Sequence, residues 1–144
     1  MGRSQAATEQ IAVIAMISLI IIPTAFIFMS YSQKSQEDLK NGMINRLGRN
    51  VVDTAETVYY YGPPSRSTLL ESMPDNVRNI SILNDTNKGA FELLITLKAG
   101  GDRSFISPVE IRGEFDAKSA SPGSKRVIIQ AMKDSRNYVQ INIT

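Results

Sequence analysis

The sequence predicts an α+β chain, a long N-terminal α-helix, apolar in its first half and amphipathic in its second, packed on a C-terminal antiparallel β-sheet head. Three observations carry this. An uncharged run extends from Ile11 to Met29, apolar residues then recur at every third or fourth position as far as Tyr59, and from Pro74 onward the period falls to two between short turn signals. At 144 residues the chain has room for one membrane-active helix and one modest domain.

The apolar run, at ~1.5 Å per residue, makes a helix close to the ~30 Å hydrocarbon thickness of a bilayer. Pro23 lies inside it and cannot bond the Leu19 carbonyl, so a kink or a locally melted stretch is expected there. Beyond Met29 the composition turns polar, yet Leu39, Met43, Ile44, Leu47, Val51, Val52, Ala55, Val58 and Tyr59 form one amphipathic face. Lys34, Glu37, Asp38, Lys40, Arg46, Arg49 and Asp53 occupy the remainder, so the helix continues into a solvated half. Gly42 and Gly48, each costing about 1 kcal/mol against Ala in a helix interior, mark flexible points or close packing. Gly62-Pro63-Pro64 ends the helix. From Ala6 to Tyr61 it would measure ~84 Å at ~1.5 Å per residue, the length of a stalk.

Five strands follow. They run over residues 77–83, 91–97, 105–115, 127–132 and 139–143, with Pro108 marking an edge or a bulge in the third. The short turns imply an antiparallel sheet with one apolar face, which the helix face of residues 39–59 covers. Ser67 to Met73 reads as a short helical turn inside a connector. Tyr59-Tyr60-Tyr61 reads as aromatic burial against the sheet.

Sixteen Lys and Arg are interspersed with fourteen Asp and Glu for a net charge of +2, so the basic isoelectric point is no footprint for nucleic acid. Lys98, Arg103, Lys125, Arg126 and Lys133 fall near turns as solvated loop residues that offer at most weak binding to anionic polymers. Cys and His are absent, which removes disulfides, thiolate nucleophiles, the usual zinc ligands and the commonest general base. No phosphate-cradling loop or metal-ligand spacing is present, so neither enzymatic activity nor a cofactor is expected. A membrane-tethered enzyme would have to use carboxylates or Ser/Lys chemistry. Asn79-Ile80-Ser81, Asn84-Asp85-Thr86 and Asn142-Ile143-Thr144 match the N-glycosylation pattern, which matters only if the chain is exported.

The N-terminus carries the functional signal. Met1-Gly2-Arg3-Ser4 is short and basic, Gln5-Ala6-Ala7-Thr8 follows, and an ionisable Glu9 stands at the mouth of the apolar run. A charge there is expensive without an assigned partner. A secretory signal cut after Ser32, leaving Gln33, is one alternative, but its n-region would be acidic and its apolar core too long. A plain single-pass anchor presenting the β domain as a monomeric binding module is another.

The ordering Ser4-Gln5-Ala6-Ala7-Thr8-Glu9 before a long apolar helix resembles the class III signal peptide of archaeal type IV pilin-like proteins. It departs from that pattern at Ala7, where Ser is frequent. The resemblance implies a leader of residues 1–4 removed by a prepilin peptidase between Ser4 and Gln5, which makes Glu9 the fifth mature residue. It further implies residues 5–32 as a membrane and filament-core helix, 33–62 as its amphipathic continuation, 63–76 as a connector and 77–144 as the β head, the lollipop architecture of pilins. The expected partners are copies of the same chain in a helical filament, the pilus assembly machinery, and the cytoplasmic membrane before assembly, with no specific nucleic acid. The expected place is a cell-surface filament serving adhesion or attachment. Major, minor and motility-filament subunits are equally compatible.

Residue chemistry agrees with that picture on its own terms. Gln5 and Glu9 are four apart and share a helix face, so a freed Gln5 amine can meet the Glu9 carboxylate of its own or a neighbouring chain. Such a pair favours axial register more than net stability, because desolvating both charges costs several kcal/mol. Cyclisation of Gln5 would abolish the amine. Within the resemblance, Pro23 is either an ordinary membrane-helix kink or the point at which the helix unwinds during assembly.

Overall fold

The structure, a computed structural model, describes residues 2–85 and 89–144, with side chains described from Ala7 onward. One helix, α1 (Gly2–Tyr61), precedes the strands β1 (Arg66–Met73), β2 (Val77–Asp85), β3 (Ala90–Leu97), β4 (Asp102–Ser107), β5 (Ile111–Arg112), β6 (Gly123–Lys133) and β7 (Asn137–Ile143). The chain divides into two compact units, one ending at Leu39 and the other Lys40–Thr144. The α+β class and the helix-on-sheet packing of the sequence reading are both present.

Within the second unit, the apolar stripe of α1 is what the strands close over. Ile44, Leu47, Val51, Val52, Ala55 and Val58 are buried together with Val127, Ile129, Val139 and Ile141 of the strands. Each Val, Leu or Ile among them withdrawn from water contributes roughly 1.5–3 kcal/mol. α1 stops where the sequence says it must. Gly62 adopts φ 73°, and its N–H donates to the Val58 and Tyr59 carbonyls at 3.2 and 3.1 Å, after which two prolines offer no donor.

Where one sheet was expected, two are found. The first has the order β1-β6-β7-β5 and the second β2-β3-β4. All pairings are antiparallel except β5 with β7, which is parallel. The strand expected over residues 105–115 divides at Pro108, which lacks the N–H to continue a ladder. β4 ends in the second sheet and β5 begins in the first. The Ser107 hydroxyl bridges the break, donating to the Val109 carbonyl at 2.8 Å and accepting from the Val109 N–H at 3.4 Å.

The largest correction concerns residues 67–73 of the expected connector, which form a strand and not a helical turn. β1 pairs with β6 along its whole length, from Arg66↔Gln130 to Met73↔Gly123. Leu69, Leu70 and Glu71 favour helix locally, but an eight-residue ladder and the burial of Met73 override that preference. Its inward positions, Ser67, Leu69, Glu71 and Met73, mix polar with apolar. The reason is visible only in three dimensions, where Glu71 Oε1 accepts a 2.7 Å hydrogen bond from Asn50 Nδ2 on α1.

The free edges β1 and β4 both reach the helix. On the β1 side lie the Asn50–Glu71 bond and, at the β1–β2 turn, a 2.7 Å ion pair between Lys40 and Asp75. On the β4 side the Phe105 ring lies on Gly48, where a Cβ would collide with it. Gly48 is therefore a close-packing glycine, whereas nothing lies within 4 Å of the Cβ position of Gly42. At the other edges, β5 adjoins β2 through Gly113, whose Cβ position is 2.6 Å from the Ile141 carbonyl oxygen and 3.3 Å from Ile82.

The same substitution should therefore act with opposite sign at two helix positions. Gly48→Ala is expected to destabilise the head by about 1–3 kcal/mol through overpacking, and pairing it with Phe105→Leu should recover part of the loss. Gly42→Ala should stabilise it by about 1 kcal/mol. Chemical denaturation of the full chain in non-ionic detergent, followed by head tyrosine fluorescence, measures all three.

The hydrogen bond and charge of Lys40 hold the Asp75 carboxyl below its ordinary value. A carboxylate depressed by folding adds stability that is complete above its unfolded pKa of ~3.9 and lost as pH falls through the lower folded value. Asp75→Asn should lower stability by a constant amount across the neutral-to-alkaline range, leaving the slope there unchanged, and should flatten that part of the acid limb of a stability–pH curve.

Candidate functional site

The residues of α1 before the head form the candidate site. Among the described residues this is the one helix long and apolar enough to cross a membrane. Its large apolar side chains, from Ile11 through Leu19 and Phe26 to Met29, have about half or more of their surface open, from 49% at Ile17 to 75% at Leu19. Unlike the core stripe further along, they are exposed among the described residues.

Local chemistry suits this segment to an apolar surrounding. Ser18 Oγ donates to the Ile14 carbonyl at 2.8 Å, Thr24 Oγ1 to Ile20 at 2.8 Å and Ser30 Oγ to Phe26 at 3.0 Å. Each hydroxyl is thus satisfied one turn back along its own helix, which removes the cost of carrying it into hydrocarbon or between packed helices. The helix runs without interruption through Pro23, so the melted stretch allowed by the sequence is not found. The missing proline N–H leaves the Leu19 carbonyl without its usual intrahelical donor.

Glu9 is exposed at the N-terminal end of this surface, in line with Gln10, Val13 and Ile14. The side chains of Ser4 and Gln5, the expected cleavage position, lie outside the described residues. Leu39 and Met43, the first two members of the expected amphipathic stripe, are exposed at 67% and 37%, so the head covers the stripe only from Ile44 onward.

The remaining sequence-predicted positions fall on the head. Asn79 and Asn84 on β2 and Asn142 on β7 are all exposed, and Thr86 of the second sequon lies outside the described residues. Of the three tyrosines, only Tyr59 packs against the core. Tyr60 and Tyr61 are exposed at 72% and 77%, because successive helical residues turn by about 100° and only one can face the sheets. Tyr60 instead meets Tyr59 edge to face, with centroids 5.8 Å apart. Lys125 is tied down, its Nζ donating to the Lys118 carbonyl at 2.7 Å and to Ser121 Oγ at 2.8 Å.

Compared with family models, curated proteins and solved structures, the chain has no match. The reading of the site therefore rests on its chemistry. An exposed apolar helical segment of this length can anchor a chain in a membrane or pack against other helices.

The exposed segment and the head should separate cleanly. In detergent phase partitioning the full chain is expected in the detergent phase, and a chain beginning at Lys40, which retains the buried stripe and the Lys40–Asp75 pair, in the aqueous phase. Co-partitioning of the truncated chain would place the membrane-active surface on the head.

Proposed function

We propose that this protein is a structural subunit of a type IV pilus-like surface filament, held in the membrane by its apolar helix before assembly and packed through that helix afterwards. The observation that carries this reading is the long uncovered apolar face of α1, joined without a break to a stripe that the head seals. Such a surface requires an occupant. Lipid fills it first and neighbouring helices later, an exchange in which apolar burial changes little and packing with polar pairing decides the geometry.

In this reading a prepilin peptidase removes residues 1–4, and the freed Gln5 amine lies one turn from Glu9. Once helices bundle, Glu9 enters a low-dielectric interior where its charge must be matched, and the amine of an adjacent copy matches it. That pair sets the axial stagger. The Leu19 carbonyl, which lacks the Pro23 donor, is where the helix extends or bends most readily as it leaves the membrane. The exposed stripe at Leu39 and Met43 supplies contact between neighbouring copies beyond the axial bundle. The head faces outward on an archaeal cell surface, with glycans at Asn79 and Asn84, and serves attachment.

Two measurements test this. Intact mass of the chain from its native cell-surface fraction should give a terminus at Gln5, with or without cyclisation. A terminus at Met1 or Gly2 would make the protein a membrane-anchored binding module, and one at Gln33 would make the apolar run a secretion signal. Glu9→Val should be processed normally yet reach the filament fraction at less than a tenth of the wild-type level. Undiminished assembly of that variant would remove the register role of Glu9.

A further inference from the structure

The inner face of the first sheet belongs to the core, and its outer face has a composition of its own. Alternation along each strand sends Val127, Ile129 and Ala131 inward and Arg126, Ile128 and Gln130 outward. The register then aligns one cross-strand row, Arg66–Gln130–Gln140–Arg112, over all four strands in the order β1-β6-β7-β5. Four strands at ~4.8 Å spacing make this row about 14 Å long. The next row contains Thr68, Ile128 and Asn142, and the one beyond it Leu70 and Arg126.

No outward position on these four strands is Asp or Glu. Glu71 faces inward to Asn50. At the β5 edge Glu110 grips Arg112 through contacts of 2.6 and 2.8 Å, and the same guanidinium lies 4.2 Å from the centre of the Tyr138 ring. Glu114 borders that edge in a cleft with Gln140 and Asn142. The uncompensated charge is thus on the β1–β6 side. Arg66 and Arg126 are exposed there and make no ion pair among the described residues.

We propose that this face binds an acidic polysaccharide, with uronate carboxylates on Arg66 and Arg126 and sugar hydroxyls on Gln130, Gln140 and Asn142. Charge complementarity selects the occupant. Two free guanidinium forks with no opposing carboxylate between them suit carboxylates borne along an extended polymer, since each fork can take one bidentately. The amides beside them, Gln130 opposite Arg66 and Gln140 and Asn142 on the adjoining β7, both donate and accept, as neighbouring hydroxyls require. Nucleic acid fits less well. Single strands are held by free aromatic platforms and a denser positive track, and here the one outward ring, Tyr138, is already covered by Arg112.

The test uses the full chain dispersed in non-ionic detergent, so it does not depend on whether the protein forms filaments. Immobilised alginate, neutral dextran and single-stranded DNA are offered at low ionic strength. Alginate is expected to bind, more weakly as salt rises, and dextran not to bind. The double variant R66Q/R126Q should weaken alginate binding at least about tenfold, the loss expected for two charge-assisted contacts. K98Q/R103Q removes the same charge away from this face and should stay within about twofold. The single variants R66Q and R126Q, each at an exposed position, should each show an intermediate loss. Absence of alginate binding, equal losses in the two double variants, or tighter binding of DNA than of alginate would overturn the proposal.

Discussion

The docking of one helical stripe into a two-sheet envelope is the constraint on which the rest of the head depends. Ile44, Leu47, Val51, Val52, Ala55 and Val58 share one core with the inward residues of both sheets and with Val109, Phe115 and Ala120 between the strands. Each edge strand that reaches the helix is fitted to it by a specific side chain. Phe105 of β4 needs the missing Cβ of Gly48, and Glu71 of β1 needs the amide of Asn50. These contacts set how far the two edges can close. They also explain why a polar residue stands at an inward position of β1, since its partly buried carboxylate accepts a hydrogen bond there.

One continuous helix serves two surroundings, and its side chains change accordingly. Within the head the stripe is narrow and its opposite face is charged. Ahead of it, apolar residues occupy every face from Ile11 to Met29, and the few hydroxyls present are folded back onto their own helix. The same hydroxyl chemistry serves a bilayer and a bundle of like helices, because both lack water to satisfy a stray donor. A chain that passes from one to the other needs no rearrangement of its polar groups there, apart from the charge at Glu9.

The two faces of the first sheet divide the labour differently. Its inner face is apolar and buried, while its outer face is rich in amides and carries two guanidiniums that make no ion pair among the described residues. Hydrogen bonds in the strands fix both faces at once, since a slip of one residue would exchange them. The Asp116 turn helps hold that register at the far end. Its carboxylate accepts from the Ser119 N–H at 2.9 Å and hydroxyl at 3.0 Å, which keeps it below the ordinary carboxylate range, and the same hydroxyl lies 3.2 Å from the Ile143 carbonyl of β7.

Much of this was legible in the sequence because it rests on local rules. Period fixed the helix and four of the strands, Gly62-Pro63-Pro64 fixed the helix end, and the charge-free run with Glu9 at its mouth marked the candidate site before any fold was known. What the sequence left open depends on partners distant in the chain. β1 reads as a helical turn until β6 is beside it, and nothing near Glu71 in the chain points to Asn50 as its partner. Pro108 announces a break but not that the chain will change sheets there. The choice between a flexible and a close-packed Gly48 depends on a ring fifty-seven positions away. The row Arg66–Gln130–Gln140–Arg112 is the extreme case, drawn from four strands and visible only once their register is set. Periodicity and end signals act between near neighbours and are written in the sequence directly, whereas register and close packing are decided by long-range contacts that form only in the folded chain.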